Sequence, residues 1–408
     1  MKNKKVVVIG TFDTKGVEYD FLITRLKQAG CQVKTVNAGV LQFEPIFQID
    51  IDADMVAKAA GADLSTLQKN KDRGKAIAAM SEGAASLIRQ LYEKEDFDAI
   101  IGMGGTAGTN IVAAAMRGLP FGMPKICLST VASGDVSPYI GITDIVVMPS
   151  LTDIAGINSI SRISISNACG ALLGMLSNQL IKTDDALPVI AASMFGNTTP
   201  CVNRCREMLS SKGFDVLVFH ATGTGGKTME KLVYDGVVHA VLDITTTEWA
   251  DTICGGVFDA GEERLDAPGQ MGIPHLIVPG CIDMCNFGSK NTIPSKYNDR
   301  LFYQWNPNVT LMRTTAEENS IMGEKFATKA NHSKGRVKFL IPMKGFSMLD
   351  ALNEQGDPQL FWSPEADNAF VEGLQSKLNQ GIEIMQIDAN INDQEFADKA
   401  VEVMISMM

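Results

Sequence analysis

No stretch of this 408-residue chain holds the ~18 uninterrupted apolar residues that a membrane-spanning helix needs. The opening Met1-Lys2-Asn3-Lys4-Lys5 and Val6-Val7-Val8-Ile9-Gly10 run out of apolar residues too early for a signal peptide. Both absences predict a cytoplasmic protein with no membrane partner. Basic residues are in deficit, 36 Lys plus Arg against 47 Asp plus Glu for a formal net charge of −11. That balance argues against nonspecific attraction to nucleic acid or to anionic membranes. The eight cysteines (Cys31, Cys127, Cys169, Cys201, Cys205, Cys254, Cys281, Cys285) are dispersed, several inside apolar runs. This is unlike the disulfide framework of a small secreted domain and predicts reduced thiols. Disorder is excluded as well, because 45% of the residues are hydrophobic and only 20% charged. At roughly 100 to 200 residues per domain, the length predicts two or three domains, with two as the starting point.

What is present is an alternation of short β-branched runs, bounded by Gly, Asn or Asp, with longer helical patterns, the signature of βαβ units. Strands are predicted at residues 5–9, 32–36, 98–103, 125–130 and 144–148, with helices at 17–29 and around 71–94 and 159–181. The polar Lys182-Thr183-Asp184-Asp185 precedes a new buried strand at 188–194 and sets the expected boundary between domains 1–184 and 185–408. The second half repeats the first. Phe12 and Gly30 bracket one loop and helix, Phe195 and Gly213 another, at equal offsets (195 − 12 = 213 − 30 = 183). Asp98-Ala99-Ile100-Ile101 is matched by His239-Ala240-Val241-Leu242, and Gly122-Met123-Pro124 by Gly272-Ile273-Pro274. Strands at 309–312, 337–341 and 383–387 are expected to extend the second sheet, with helices at 317–330, 364–378 and 394–404. The sequence leaves the last helix free to pack on either domain. The predicted fold class is α/β: two Rossmann-like parallel-sheet domains related by duplication, with a cleft between them.

Between the first strand and helix, Gly10-Thr11-Phe12-Asp13-Thr14-Lys15-Gly16 offers backbone N–H groups and the positive end of a helix dipole to an anion. Thr11, Thr14 and Lys15 suit phosphate. Asp13 suits Mg2+ or a ribose hydroxyl, since a carboxylate repels bare phosphate. The plainer reading is a turn with a capping Asp or Thr. The loop at residues 102–110 follows a strand and opens an Ala-rich helix, making it the best phosphate cradle in the chain. Gly104, Gly105 and Gly108 allow close backbone approach, while Thr106 and Thr109 donate to oxyanions or cap the helix. It departs from G-x-G-x-x-G and lacks the downstream acidic residue, which favours a nucleotide phosphate over NAD, with simple tight packing as the competing reading. A third loop ends in Ser133-Gly134-Asp135, and Asp135 joins Asp13 as a candidate Mg2+ ligand. On this reading three strand-end loops of one sheet converge on one crevice.

In the second half, His220, Glu248 and Asp283 each lie just past a strand end, where a substrate would sit. They are the candidate catalytic residues, with His220 and Glu248 suited to general acid or base work, against the plainer reading of hydrogen-bonded turn residues. Residues 221–228 almost spell a Walker A loop, with Ala for the first Gly, but their place after the second strand of a repeated unit counts against it. Cys201-x-x-x-Cys205 and Cys281-x-x-x-Cys285 lack the short knuckle spacing of zinc sites and read as core thiols.

Together these loops resemble an uncharacterised ATP-binding family that takes in the amino-terminal region of the tomato mosaic virus resistance protein. The resemblance rests on Gly10-Thr11-x-Asp13-Thr14-Lys15-Gly16-x-Glu18, Gly102-x-Gly104-Gly105-Thr106-x-Gly108-Thr109, Ser129-Thr130-Val131-Ala132-Ser133-Gly134-Asp135 and Ile160-Ser161-Arg162. It continues through Phe219-His220-Ala221-Thr222-Gly223-Thr224-Gly225-Gly226, Thr245-Thr246-Thr247-Glu248, Met312-Arg313-Thr314-Thr315 and Ile391-Asn392-Asp393, so it spans essentially the whole chain. Lys227-Thr228, Trp305 and Asn390 depart from the family pattern, the last two standing where a histidine often occurs. The resemblance implies two Rossmann-like domains, ATP bound by the first, and a homodimer. Plant relatives carry a further barrel-like region, which implies a separate barrel-fold partner protein here.

The leading functional expectation is an enzyme that uses ATP and Mg2+ on a small polar metabolite, by phosphoryl transfer or carboxylate activation, in the interdomain cleft. Two others stand beside it: a non-catalytic, nucleotide-responsive binding protein, and a hydrolase or lyase centred on the second domain.

Overall fold

Val6 and Val8 turn to one face of the first strand and Val7 and Ile9 to the other, and all four are fully buried. Such a strand belongs at the centre of a sheet covered on both sides. A computed structural model describes residues 4–178 and 187–408. The chain divides into two units, Met1–Lys182 and Thr183–Met408. The expected boundary at residues 182–185 and the end of the helix predicted to residue 181 lie outside the described residues.

The first unit runs β1 (Lys5–Gly10), α1 (Phe12–Gln28), β2 (Gln32–Asn37), α2 (Ala53–Ala59), α3 (Leu64–Asn70), α4 (Arg73–Glu93), β3 (Ala99–Gly104), α5 (Thr106–Arg117), β4 (Lys125–Ser129), α6 (Ser137–Ile140), β5 (Val146–Pro149) and α7 (Ser159–Ser177). Its sheet has the order β2-β1-β3-β4-β5 and every pair is parallel. Tyr19, Leu22 and Leu26 of α1 join Ile165 and Leu172 of α7 on one face; Val56, Met80, Ile88 and Val112 from α2, α4 and α5 cover the other. The Tyr19 hydroxyl accepts the Met103 N–H at 2.8 Å and donates to the Met103 carbonyl at 2.6 Å, which fastens α1 to the end of β3.

The second unit runs β6 (Val189–Met194), α8 (Thr199–Ser211), β7 (Asp215–His220), α9 (Thr224–Tyr234), β8 (Ala240–Thr245), α10 (Thr247–Cys254), α11 (Ala267–Met271), β9 (His275–Gly280), β10 (Met284–Phe287), β11 (Phe302–Asn306), β12 (Val309–Arg313), α12 (Ala316–Asn331), β13 (Val337–Pro342), α13 (Pro364–Lys377), β14 (Glu383–Ile387) and α14 (Gln394–Met407). Its main sheet is parallel, in the order β14-β13-β9-β8-β6-β7. Read as β7-β6-β8-β9-β13, it repeats the connectivity of the first sheet.

One expected strand is not where the sequence pattern put it. Residues 309–312 do not extend the parallel sheet; β12 pairs antiparallel with β10 and β11 in a separate three-stranded sheet. Only Pro307 and Asn308 separate β11 from β12, and a two-residue link permits a hairpin, whereas parallel neighbours need a long crossover. α14 packs on α8 within the second unit: Phe396, Ala400 and Met404 bury against Cys201, Cys205 and Leu209, and Arg204 holds Asp398 at 2.9 Å. No helix among the described residues is long and apolar enough to cross a membrane.

Candidate functional site

β1 lies between β2 and β3, so the chain leaves β1 towards one side of the sheet and later returns on the other. Loops part at such a switch point, and open parallel sheets bind ligands there, beyond the carboxyl ends of the strands. A cavity of about 1110 Å³ opens at this place. Thr11, Asp13, Thr14 and Lys15 line it after β1, Gly39 and Leu41 after β2, and Gly105, Thr106 and Gly108 after β3. Ala76, Ile77 and Met80 of α4 and Ile111 of α5 supply an apolar wall.

α5 opens with Gly105 in the N-cap place and no side chain caps it. Its first-turn N–H groups and the positive end of its dipole therefore meet the cavity without a protein acceptor from a cap. Gly104 and Thr109 do other work. A Cβ at Gly104 would lie 2.7 Å from the Gly108 Cα, so that glycine lets strand and helix pack closely. The Thr109 hydroxyl is buried, sharing a 2.6 Å hydrogen bond with Ser129 and lying 3.3 Å from the Gly104 carbonyl. Neither residue lines the cavity.

Asp13 reaches the cavity and is held by the backbone beyond β2. Its Oδ2 accepts the Leu41 N–H at 2.8 Å, and its Oδ1 is buried with no partner. A Cβ on Gly39 would lie 2.2 Å from that Oδ1, so only glycine leaves room for the carboxylate. Lys15 lines the cavity too, but its ammonium donates to the Ile154 carbonyl, while buried Glu18 accepts the Gly156 N–H. Through these two side chains α1 holds the segment that follows β5.

Ser133, Gly134 and Asp135 are exposed and outside the cavity lining. The Asp135 carboxylate accepts the hydroxyl of Ser137 at 2.6 Å and its N–H at 2.9 Å, which lowers its pKa. Its own local turn thus uses the group, and it is not brought beside Asp13.

Sequence reasoning passed over Lys69, Lys71 and Arg73, at the junction of α3 and α4, which also line the cavity. With Lys15 they make four cations against the two carboxylates of Asp13 and Asp72. The available signal was the basic run Lys69-Asn70-Lys71-Asp72-Arg73-Gly74-Lys75 in an acidic chain.

The corresponding switch point of the second sheet, between β6 and β8, is filled. Asn197, Thr198, Thr245 and Thr246 are fully buried, and the Thr198 and Thr245 hydroxyls lie 2.7 Å apart. Phe195, Cys281, Met284, Leu311 and Phe361 pack together over it, two of them from the antiparallel sheet. Of the three candidate catalytic residues, only His220 is exposed, its ring 5.5 Å from that of Phe195. Glu248 is buried beside Arg264, which also pairs with Asp243 and Glu230. Burial pushes the Glu248 pKa up and Arg264 opposes the shift. Asp283 is buried as well, accepting the Ser347 hydroxyl at 2.8 Å, and burial with the Asp350 carboxylate pushes it up to about 7 against the pull of Arg313.

The Walker-like loop is closed by its own protein. Gly223 and Gly226 donate their N–H groups to Glu248 Oε1 at 2.7 and 3.0 Å, so a carboxylate stands where a phosphate would. Gly223 has φ of 78°, and a Cβ at Gly226 would lie 2.2 Å from Glu248. These glycines admit the carboxylate and not a ligand.

Residues 4–180 match the N-terminal domain of an uncharacterised protein family, UPF0261, and residues 187–408 match its C-terminal domain. A UPF0261 protein of Clostridium tetani is 42% identical over 100% of this chain and 99% of its own length. The ToMV susceptible protein tm-1(GCR26) of Solanum lycopersicum is 36% identical over 99% of this chain, which spans 56% of the tomato protein. Among solved structures, UDP-GlcNAc 2-epimerase of Methanocaldococcus jannaschii aligns over 100% of this chain and 94% of its own, at 10% identity and a TM-score of 0.24.

Proposed function

Because the chain belongs to UPF0261, a family with no described activity, we propose a function from the site itself: the first unit binds ATP in the cavity beyond β1 and β3. The observation that carries this reading is the uncapped N-terminus of α5 opening into a cavity of about 1110 Å³ that has an apolar wall. The first-turn N–H groups of α5 would bind a phosphate, and Ala76, Ile77 and Met80 would receive the adenine. Asp13 fits Mg2+, since its Oδ1 is buried without a hydrogen-bond partner, a state that costs free energy unless a cation or donor relieves it. When bound, that ion would offset phosphate charge and make the nucleotide a better electrophile. Asp135 has no part in this site.

The expected use of the nucleotide is enzymatic, transfer of a phosphoryl group to a small polar metabolite or activation of its carboxylate. A second reading, a nucleotide-responsive binding protein without turnover, is favoured by the burial of Glu248 and Asp283, two of the three candidate catalytic residues. A homodimer and a barrel-fold partner belong to either reading as proposals.

Calorimetric titration of ATP with Mg2+ into wild type and Gly105→Asp tests the binding. Gly105 has open space at its Cβ, the nearest atom being the Thr130 hydroxyl at 3.7 Å, so the substitution adds charge at the helix N-cap without a clash at Cβ. Loss of ATP binding in the variant is expected; equal affinity in both proteins overturns the reading. ATP consumption in the presence of a metabolite mixture separates the enzyme from the sensor.

A further inference from the structure

Three cations sit at alternate positions on one short junction: Lys69 in the last turn of α3, Lys71 at its C-cap and Arg73 at the start of α4. All three are exposed and line the same cavity as the uncapped end of α5. None has an ion-pair partner among the described residues. The carboxylate between them, Asp72, accepts the Lys75 N–H at 3.1 Å as the N-cap of α4, and its Oδ2 faces Lys75 at 3.7 Å. Lys71 holds a left-handed φ of 51°, in a place where helices commonly end on glycine. The chain therefore keeps a third positive charge where glycine would be less strained, in a protein whose net charge is −11. Unpaired like charges gathered at a cavity mouth repel one another until an anion arrives.

Resting on the nucleotide reading above, we propose that Lys69, Lys71 and Arg73 bind the outer phosphates, so that the site selects nucleoside triphosphates over mono- and diphosphates. The α5 N-terminus holds one phosphate through backbone dipoles, and a chain of three phosphates carries enough charge to engage the α3–α4 cations as well. A monophosphate satisfies one of these positive regions and leaves the other unpaired.

The test is calorimetry with ATP, ADP, AMP and inorganic tripolyphosphate on wild type and on a Lys69→Ala, Lys71→Ala, Arg73→Ala triple variant, with circular dichroism to verify the fold. Wild-type affinity is expected to fall from ATP through ADP to AMP. The variant should bind ATP roughly 10- to 100-fold more weakly, the sum of three partly screened contacts, while AMP changes by less than about twofold. Tripolyphosphate binding should be lost with the cations. An ATP-to-AMP preference that survives in the variant, or equal wild-type affinity for the two, overturns the inference and leaves ATP binding standing. If wild type takes tripolyphosphate but no nucleotide, the cationic clamp stands and the nucleotide reading falls. If it takes none of the four, both fall.

Discussion

Glu248 accepts the backbone N–H of Gly223 at 2.7 Å, and with it the positive end of α9. The same carboxylate receives the Arg264 Nε at 2.7 Å on its other oxygen. A loop that reads as a phosphate cradle is thereby turned inward as a helix cap, and its anion is supplied by the protein. In the first unit no carboxylate caps α5, and the comparable loop opens into the cavity.

Removing Arg264 should be severe. Its guanidinium is fully buried and pairs with Asp243 at 2.6 Å, Glu248 at 2.7 Å and Glu230 at 3.3 Å. Arg264→Met keeps the volume but strands those carboxylates, at an expected cost of about 3–5 kcal/mol. Urea unfolding measures it; a loss near zero means the carboxylates take up protons at little expense.

Lys227 should be irrelevant to nucleotide. The amides beside it are already engaged by Glu248. Lys227→Ala is expected to leave ATP affinity within about twofold of wild type, since Lys227 is exposed and is not among the residues that line the cavity. Abolished binding in a folded Lys227→Ala protein would transfer the site to the second unit.

Gly39→Ala addresses Asp13. The new methyl would lie 2.2 Å from Asp13 Oδ1, so the carboxylate must move away from the Leu41 N–H. ATP affinity measured with Mg2+ should drop to the level measured with chelator, while the chelator value itself stays near wild type. If the Mg2+ effect persists, Asp13 is not the ligand.

Asp367 gives the stability a pH dependence. Burial and its hydrogen-bond partner Asp350 push its pKa up to about 9, with Arg313 opposing. An unfolded aspartate titrates near ~4, so the folded protein binds this proton more tightly. The contribution is complete below about pH 4 and declines as pH rises towards the folded value. Asp367→Asn copies the protonated acid: its oxygen can accept from Arg313, 2.8 Å away in the wild type, and its amide can donate to Asp350. The difference in melting temperature between the two proteins should be smallest near pH 4 and widen steadily towards pH 9 in favour of the variant. Parallel curves would mean that Asp367 is ionised throughout.

Much of the architecture could be read directly. Val6 to Ile9 announce a strand buried on both faces, and the matched spacing of Phe12 with Gly30 and Phe195 with Gly213 announces the repeated unit. The phosphate-loop reading of Gly105, Thr106 and Gly108 corresponds to residues that line the cavity, as do Thr11, Asp13, Thr14 and Lys15. Thr109, Asp135 and Glu248 belong to the same kind of strand-end motif, yet their polar groups are taken by Ser129, Ser137 and Arg264.

Local periodicity and turn chemistry act over a few residues, so the order of strands, helices and glycine turns is written in the chain itself. Whether a strand-end loop stays open depends on what distant segments bring to it. Arg264 lies 16 positions beyond Glu248 and helps close one loop; the α3–α4 junction lies some thirty positions before Gly105 and helps build the cavity at the other. Those meetings are set by packing and charge compensation across the fold, and only the tertiary structure decides them.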